Sequence, residues 1–408
     1  MCIVFNKLSS NNGHCDCPPF AEGKHSLYTR RPGIGRNSFR YRIVLLLGVF
    51  SVLAVLAGSA GARDGASRIN GLYALCEAGK RVPQAVLENT NVDGLALRYF
   101  WDSLEPEEGV FDWSSLDREV AAAQSYGKKV SLSVAAGAHT PSWVYAAGAA
   151  EFFFTWSEPW GRPICSKQRL PVPWHPVYLT KWKEFVRALG TRYDSNPTLV
   201  YVKITGINST THETLLPHSR SRRIAHDSVS CSSEDDVLNW QRLGYTRAKV
   251  ESAWRTIAEN FAQSFPHKKL GVMIVPKGFP PINDRGELIG EKRADHRVAE
   301  DLIKEGVAAY DGRFVLQNNG LSAFWNWEPP LGSGSKLTIG YQMLWSATGD
   351  PQCRMNHRER PCDPHAVLKA AVDRGLDSGA RFLEIYIPDV LNPQLQDVLA
   401  KAHRIPTR

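Results

Sequence analysis

Eight short apolar runs alternate with helical segments along this chain of 408 residues, and that alternation limits the folds open to it. The runs fall at 71–75, 95–100, 130–134, 199–204, 270–275, 314–316, 337–341 and 381–387. Helical patterns fall at about 83–88, 114–126, 180–193, 250–265 and 365–375, and the third of these stops at Asp194-Ser195-Asn196-Pro197. Strands that are mostly apolar on both faces suit a parallel sheet covered on each side. Eight of them, nearly all with a helix before or after, match the count of an α/β fold of the (β/α)8 TIM barrel type, a single domain with long βα loops. The two longest connections, 135–177 and 213–238, both follow strands. They therefore belong to the C-terminal face, where this architecture builds its sites. The first is rich in Trp and Phe, which favours a binding role for it.

Residues 1–62 read differently. Arg30, Arg31, Arg36, Arg40 and Arg42 form a basic run, 43–57 is nearly all apolar, and 58–62 supplies small residues. These are the parts of a secretory signal with cleavage after Ala62; an uncleaved membrane anchor is the open alternative. The expected division is thus 1–62 as leader or anchor and 63–408 as the barrel, secreted, periplasmic or envelope-bound. The leader carries +5 of the formal +8, so about +3 remains beyond it. The basic balance is then a poor argument for nucleic acid as a partner. Export also makes a local disulfide between Cys353 and Cys362 the expectation, with Cys165 and Cys231 as a possible second bridge and Cys76 left as a buried thiol. No cysteine–histidine spacing suggests a metal site, and no P-loop, dinucleotide fingerprint, H-E-x-x-H or G-x-S-x-G motif is present, so no cofactor is expected.

The second run, Leu95-Ala96-Leu97-Arg98-Tyr99-Phe100, leads into W-D-S-L-E-P-E-E-G-V-F-D-W over 101–113 and then a helix. This strand, acid-Pro turn and helix start resemble the second βα unit of the retaining glycoside hydrolases built on TIM barrels, the β-galactosidase-like and cellulase-like clan. The resemblance implies a carbohydrate substrate and a pair of carboxyl groups. One would follow strand four as acid/base and the other would end strand seven as nucleophile. Glu105, Glu107 and Glu108 are read as structural acids of the turn.

At both catalytic positions this chain departs from the pattern. After strand four, Asn208 is followed by Ser209, and the nearest acid is Glu213, beside His212. Glu213 is the acid/base candidate, with a solvated loop carboxylate as the alternative. In strand seven Gln342 stands where the clan has its nucleophile, and an amide cannot attack an anomeric carbon. Strand eight offers Glu384, which period-two alternation places on one face with Phe382 and Tyr386. It is read as nucleophile or base, or as half of a buried ion pair with Arg98. Asp389, at the mouth of that strand, is a third acid.

Arg98, Trp101, Asn208, His212, Tyr341, Gln342, Trp345, Tyr386 and Asp389 are the candidate substrate-binding residues. Tyr99, Trp143, Trp325 and Trp327 add further aromatics at strand ends, and Asn318, Asn319 and Asn326 could bind hydroxyls or serve as turn residues. The expected activity is cleavage of O-glycosidic bonds in an extracellular or envelope glycan. A carbohydrate-binding barrel without turnover is the alternative. Sugar, linkage, exo or endo action and oligomeric state are not legible.

Overall fold

The computed structural model describes residues 69–405 apart from 159–160, 291, 311, 325–336, 361 and 404. The leader reading of 1–62 and the expectations for Trp325, Asn326 and Trp327 lie outside the described residues. Eight parallel strands close into a barrel in which chain order is also spatial order. They are β1 (Gly71–Leu75), β2 (Gly94–Phe100), β3 (Lys129–Ala135), β4 (Leu199–Lys203), β5 (Lys269–Met273), β6 (Phe314–Leu321), β7 (Thr338–Met343) and β8 (Phe382–Tyr386). This is a (β/α)8 TIM barrel, as the alternation implied.

Two boundaries moved, each for a visible reason. Strand β6 runs on through Gln317, Asn318 and Asn319, because its backbone keeps pairing with β7 as far as Leu321 and Met343. Strand β8 stops at Tyr386, because Ile387–Val390 turns into a short helix with Pro388 in its first turn. A helix between β5 and β6, His296–Ala309, escaped the sequence reading although its signals were present. Asp295 caps it by accepting from the Arg297 N–H, and Val298, Ala299, Leu302, Ile303 and Gly306 form its buried stripe.

Inside the barrel the lower tier is apolar. Tyr73, Tyr201 and Phe382 meet edge to face, with ring centroids 5.8 Å and 5.7 Å apart for the two pairs that include Phe382. Neighbouring strands make room for these rings with glycine. A Cβ on Gly271 would lie 2.0 Å from the Tyr201 ring, and one on Gly340 would lie 2.0 Å from Phe382. Large and small residues therefore interlock across strands at the floor of the barrel.

Each long loop folds as a two-stranded antiparallel hairpin. One pairs Glu151–Thr155 with Lys167–Pro171, and the other pairs Arg222–His226 with Val229–Ser233. A disulfide from Cys165 to Cys231 joins the two, a second links Cys353 to Cys362, and Cys76 is a buried free thiol. Among the described residues no helix is long and apolar enough to cross a membrane.

Candidate active site at the barrel mouth

Above the aromatic floor the interior turns polar, and the residues change two by two along each strand. Phe382 is followed on its face by Glu384, Tyr201 by Lys203 and Val315 by Gln317. Glu384 is 0% exposed. Its Oε1 accepts from Lys203 Nζ at 2.6 Å and from Ser131 Oγ at 3.3 Å, and its Oε2 accepts from Gln317 Nε2 at 2.8 Å. The ion-pair alternative for Glu384 is therefore realised, but with Lys203 and not with Arg98. Burial pulls the Lys203 ammonium below its ordinary range, and the Glu384 carboxylate opposes that pull.

Lys203 was legible in principle. It follows Tyr201 at period two, so a lysine had to point into the barrel, where only an acid could compensate it.

The hydrogen bonds continue toward solvent. Gln317 Nε2 also donates to Asn319 Oδ1 at 2.8 Å, and Asn319 Nδ2 donates to Glu213 Oε1 at 2.8 Å. Glu213 is half-buried in the loop after β4. The two candidate carboxyl groups thus sit at opposite ends of one line, with two side-chain amides between them. Gln342 is the register partner of Glu384 on the next strand, and its amide meets no partner among the described residues.

His212 stands next to Glu213 and is 5% exposed. Its Nδ1 lies 2.9 Å from Ser133 Oγ, while its Nε2 is buried without a partner. Burial, reinforced by the charges of Arg98 and Lys203 and by His139, holds this imidazole well below its ordinary range. It is neutral at pH 7. Phe100 lies against it at 5.5 Å and stacks on His139 at 3.5 Å. His139 is bonded in turn to Arg162 at 2.8 Å and to Asp102 at 3.3 Å. His139 and Arg162 come from the first long loop and were not singled out from sequence.

On the opposite wall Tyr386 is packed 6.3 Å from Trp345, over which Arg354 lies at 4.1 Å. Burial pushes the Tyr386 phenol up to about 12.

Several candidates lie elsewhere. Trp101 is 0% exposed, packed among Trp143, Tyr178, Trp182 and Phe185, and it donates Nε1–H to Glu105 Oε2 at 2.7 Å. It begins a helical turn that carries its ring under the sheet, so it is core and not a sugar platform. Tyr99 and Tyr341 are also in the outer core. Arg98 and Gln342 point inward, so alternation turns these neighbours toward the helices.

Asn208 is a loop staple. Its Oδ1 accepts from the Gly206 N–H at 2.6 Å and its Nδ2 donates to the carbonyls of His212 and Glu213, which consumes its polar atoms. Asp389 accepts from Ser346 Oγ and from the N–H groups of Ala347 and Thr348, so it anchors the loop after β7 from a fully buried position. The loop aromatics mostly pack on one another, with Phe152 stacked on Trp240 at 3.7 Å. Glu105 is scaffold, as expected, and burial raises its carboxyl above the usual range. Trp143 is also tied to the scaffold, through its Nε1–H to the Glu105 carbonyl.

A family model described as Beta-galactosidase matches residues 84–215, from the segment after β1 to just past Glu213. Two curated relatives, the β-galactosidases of Geobacillus sp. (strain Y412MC61) and Geobacillus kaustophilus, are each 30% identical over 124 residues. The match takes in 28% of this chain and 17% of each relative, so it spans a small part of their length. Among solved structures, the catalytic domain of β-amylase from Paenibacillus polymyxa aligns with a TM-score of 0.51 at 10% identity. It covers 82% of this chain and 97% of that one, a likeness of fold. The family match across β2 to β4 and the closed eight-stranded barrel support kinship with the glycoside hydrolase clan of (β/α)8 barrels.

Proposed function

We propose that this barrel cleaves O-glycosidic bonds of a glycan outside the cytoplasm, with Glu213 and Glu384 as its carboxyl pair. The observation that carries the reading is the line Glu384–Gln317–Asn319–Glu213, which ties both acids into one network at the C-terminal mouth. Two carboxyl groups flanking the scissile bond are what glycoside hydrolysis ordinarily requires.

In the retaining form, a Glu384 oxygen attacks the anomeric carbon, the bond to the leaving oxygen breaks, and Glu213 gives that oxygen its proton. Water then attacks the anomeric carbon, Glu213 takes the water's proton, and Glu384 is released. Lys203 holds Glu384 Oε1 in place, and Gln317 must release Oε2 for the attack. Arg98, Gln342, Trp345 and Tyr386 would hold the sugar. The two disulfides support an oxidising compartment, and the exported reading of residues 1–62 goes with them.

A second reading, glycan binding without turnover, is favoured by the enclosure of Glu384, whose oxygens already serve three donors, and by Gln342 at the usual nucleophile position. Release of sugar from a panel of aryl glycosides and envelope polysaccharides separates the two. Cleavage predicts measurable turnover that falls at least about a hundredfold in Glu213→Gln and in Glu384→Gln, with NMR of the first-released anomer reporting retention. Turnover that survives both substitutions would remove these assignments. Glycan binding without turnover on every substrate establishes the second reading.

A further inference from the structure

Among the described residues, the barrel mouth holds a cation with no ion-pair partner. Arg98 is half-buried at the upper end of β2, and among the described residues the one hydrogen bond of its side chain is Nε–H to the Cys76 carbonyl at 2.8 Å. Both terminal nitrogens of its guanidinium meet no partner among the described residues. Among the described residues no carboxylate lies within ion-pair distance of it. The acid that could have paired with it, Glu384, is held by Lys203.

Two further donors lie near it. Arg98 and Ser133 are register partners on adjacent strands, which lie about 4.8 Å apart. Ser133 Oγ holds His212 by Nδ1. When that hydroxyl donates to Nδ1, the neutral ring carries its proton on Nε2, the buried atom that meets nothing. Tyr386, close enough to Arg98 to feel its charge, has a hydroxyl that bonds to no described residue. A donor shut away from water without an acceptor is destabilised, and donors left over at a site are matched by a ligand that can accept from them.

Resting on the glycoside reading above, we propose that the sugar bound at the mouth carries a carboxylate, and that Arg98 and Tyr386 recognise it beside the enclosed His212 imidazole. The substrate class is then a uronic-acid glycan. A guanidinium fork presents two parallel N–H groups to the two oxygens of a carboxylate, a geometry that a neutral hydroxymethyl group cannot use. Charge points the same way. Lys203 and Glu384 pair with each other, and among the described residues Arg98 has no carboxylate within ion-pair distance. A uronate neutralises it.

The test is calorimetric titration of the full chain with p-nitrophenyl α- and β-glycosides in matched pairs, glucuronide against glucoside and galacturonide against galactoside. One uronide is expected to bind at least about tenfold tighter than its neutral partner. In Arg98→Gln that advantage should disappear. In the wild type, the His212 imidazole resonance should move on addition of the uronide and stay in place with the neutral glycoside, a readout that needs no variant to fold. Equal or tighter binding of the neutral sugars overturns the proposal, as does a preference that survives Arg98→Gln. Hydrolysis of neutral glycosides with no uronide preference would end this inference and leave the cleavage reading standing. Uronide binding without hydrolysis would do the reverse.

Discussion

The floor and the mouth of this barrel are built on the same eight strands and obey opposite rules. At the floor Tyr73, Tyr201 and Phe382 fill the space that Gly94, Gly271 and Gly340 leave, and the packing is complete. Two residues higher on the same strands, the side chains become Glu384, Lys203, Gln317 and Gln342. Higher still, the terminal nitrogens of Arg98, the Nε2 of His212 and the hydroxyl of Tyr386 meet no partner among the described residues. A floor with every contact satisfied contributes stability. A mouth with donors left over gives stability up, and it does so where a ligand could restore it. The two tiers should therefore fail in different ways when altered.

The largest expected effect tests whether the middle tier belongs with the floor. Lys203→Met leaves Glu384 enclosed without its ion-pair partner, and should cost about 3–5 kcal/mol in chemical denaturation. Removing both charges in Lys203→Met with Glu384→Leu should recover most of that loss, because two apolar side chains in place of a buried pair are often neutral. If the double variant is no better than the single, the pair is more than mutual charge compensation.

Next comes the floor itself. Gly271→Ala places a methyl against the Tyr201 ring and should destabilise by about 1–3 kcal/mol. Combining it with Tyr201→Leu should recover part of the loss, since the ring is what the methyl meets. Binding of any glycan at the mouth should be unaffected in the stably folded fraction, measured below the melting range. A binding defect there would show that floor and mouth are mechanically coupled.

What the sequence revealed divides along the same line. Barrel, strand count and both disulfide pairings follow from alternation, loop length and cysteine placement, which are local or nearly local signals. The failures came where a residue's direction mattered. Tyr341 and Trp101 were assigned to the mouth because they stand at strand ends, yet position along a strand does not give the face. The inward settings of Arg98 and Gln342 imply that Tyr99 and Tyr341 turn outward, and Trp101 opens a helix that rotates it into the core. Lys203 was overlooked although its parity with Tyr201 marked it as interior. The bonds of Asn208 and Asp389 to loop backbone join atoms whose positions only the folded loops define, so no pattern in the chain announces them. Arg98 was given the wrong partner for a related reason. Which cation reaches Glu384 depends on the stagger of the strands around the barrel, a property of closure and not of any one segment.

The smallest effect is read as a slope and isolates the mouth. His212 has its pKa depressed by burial, so in acid the unfolded chain takes up a proton on this ring that the folded chain refuses. Unfolding free energy should therefore decline as pH falls below the ordinary histidine value near 6.5, by about 1.4 kcal/mol per pH unit from this group. The decline should continue down to the depressed value of the folded state. Above pH 7 both states hold the ring neutral and the contribution is flat. Carboxylates elsewhere titrate in the same direction at lower pH, so the informative quantity is the difference between wild type and His212→Gln between pH 5 and 7, taken from urea midpoints. The variant should lose the slope. A uronide bound beside Nε2 should lessen the slope in the wild type too, because an anion there favours the protonated ring. A wild-type slope that matches the variant's would mean that water reaches Nε2, and that the mouth is wetter than its packing implies.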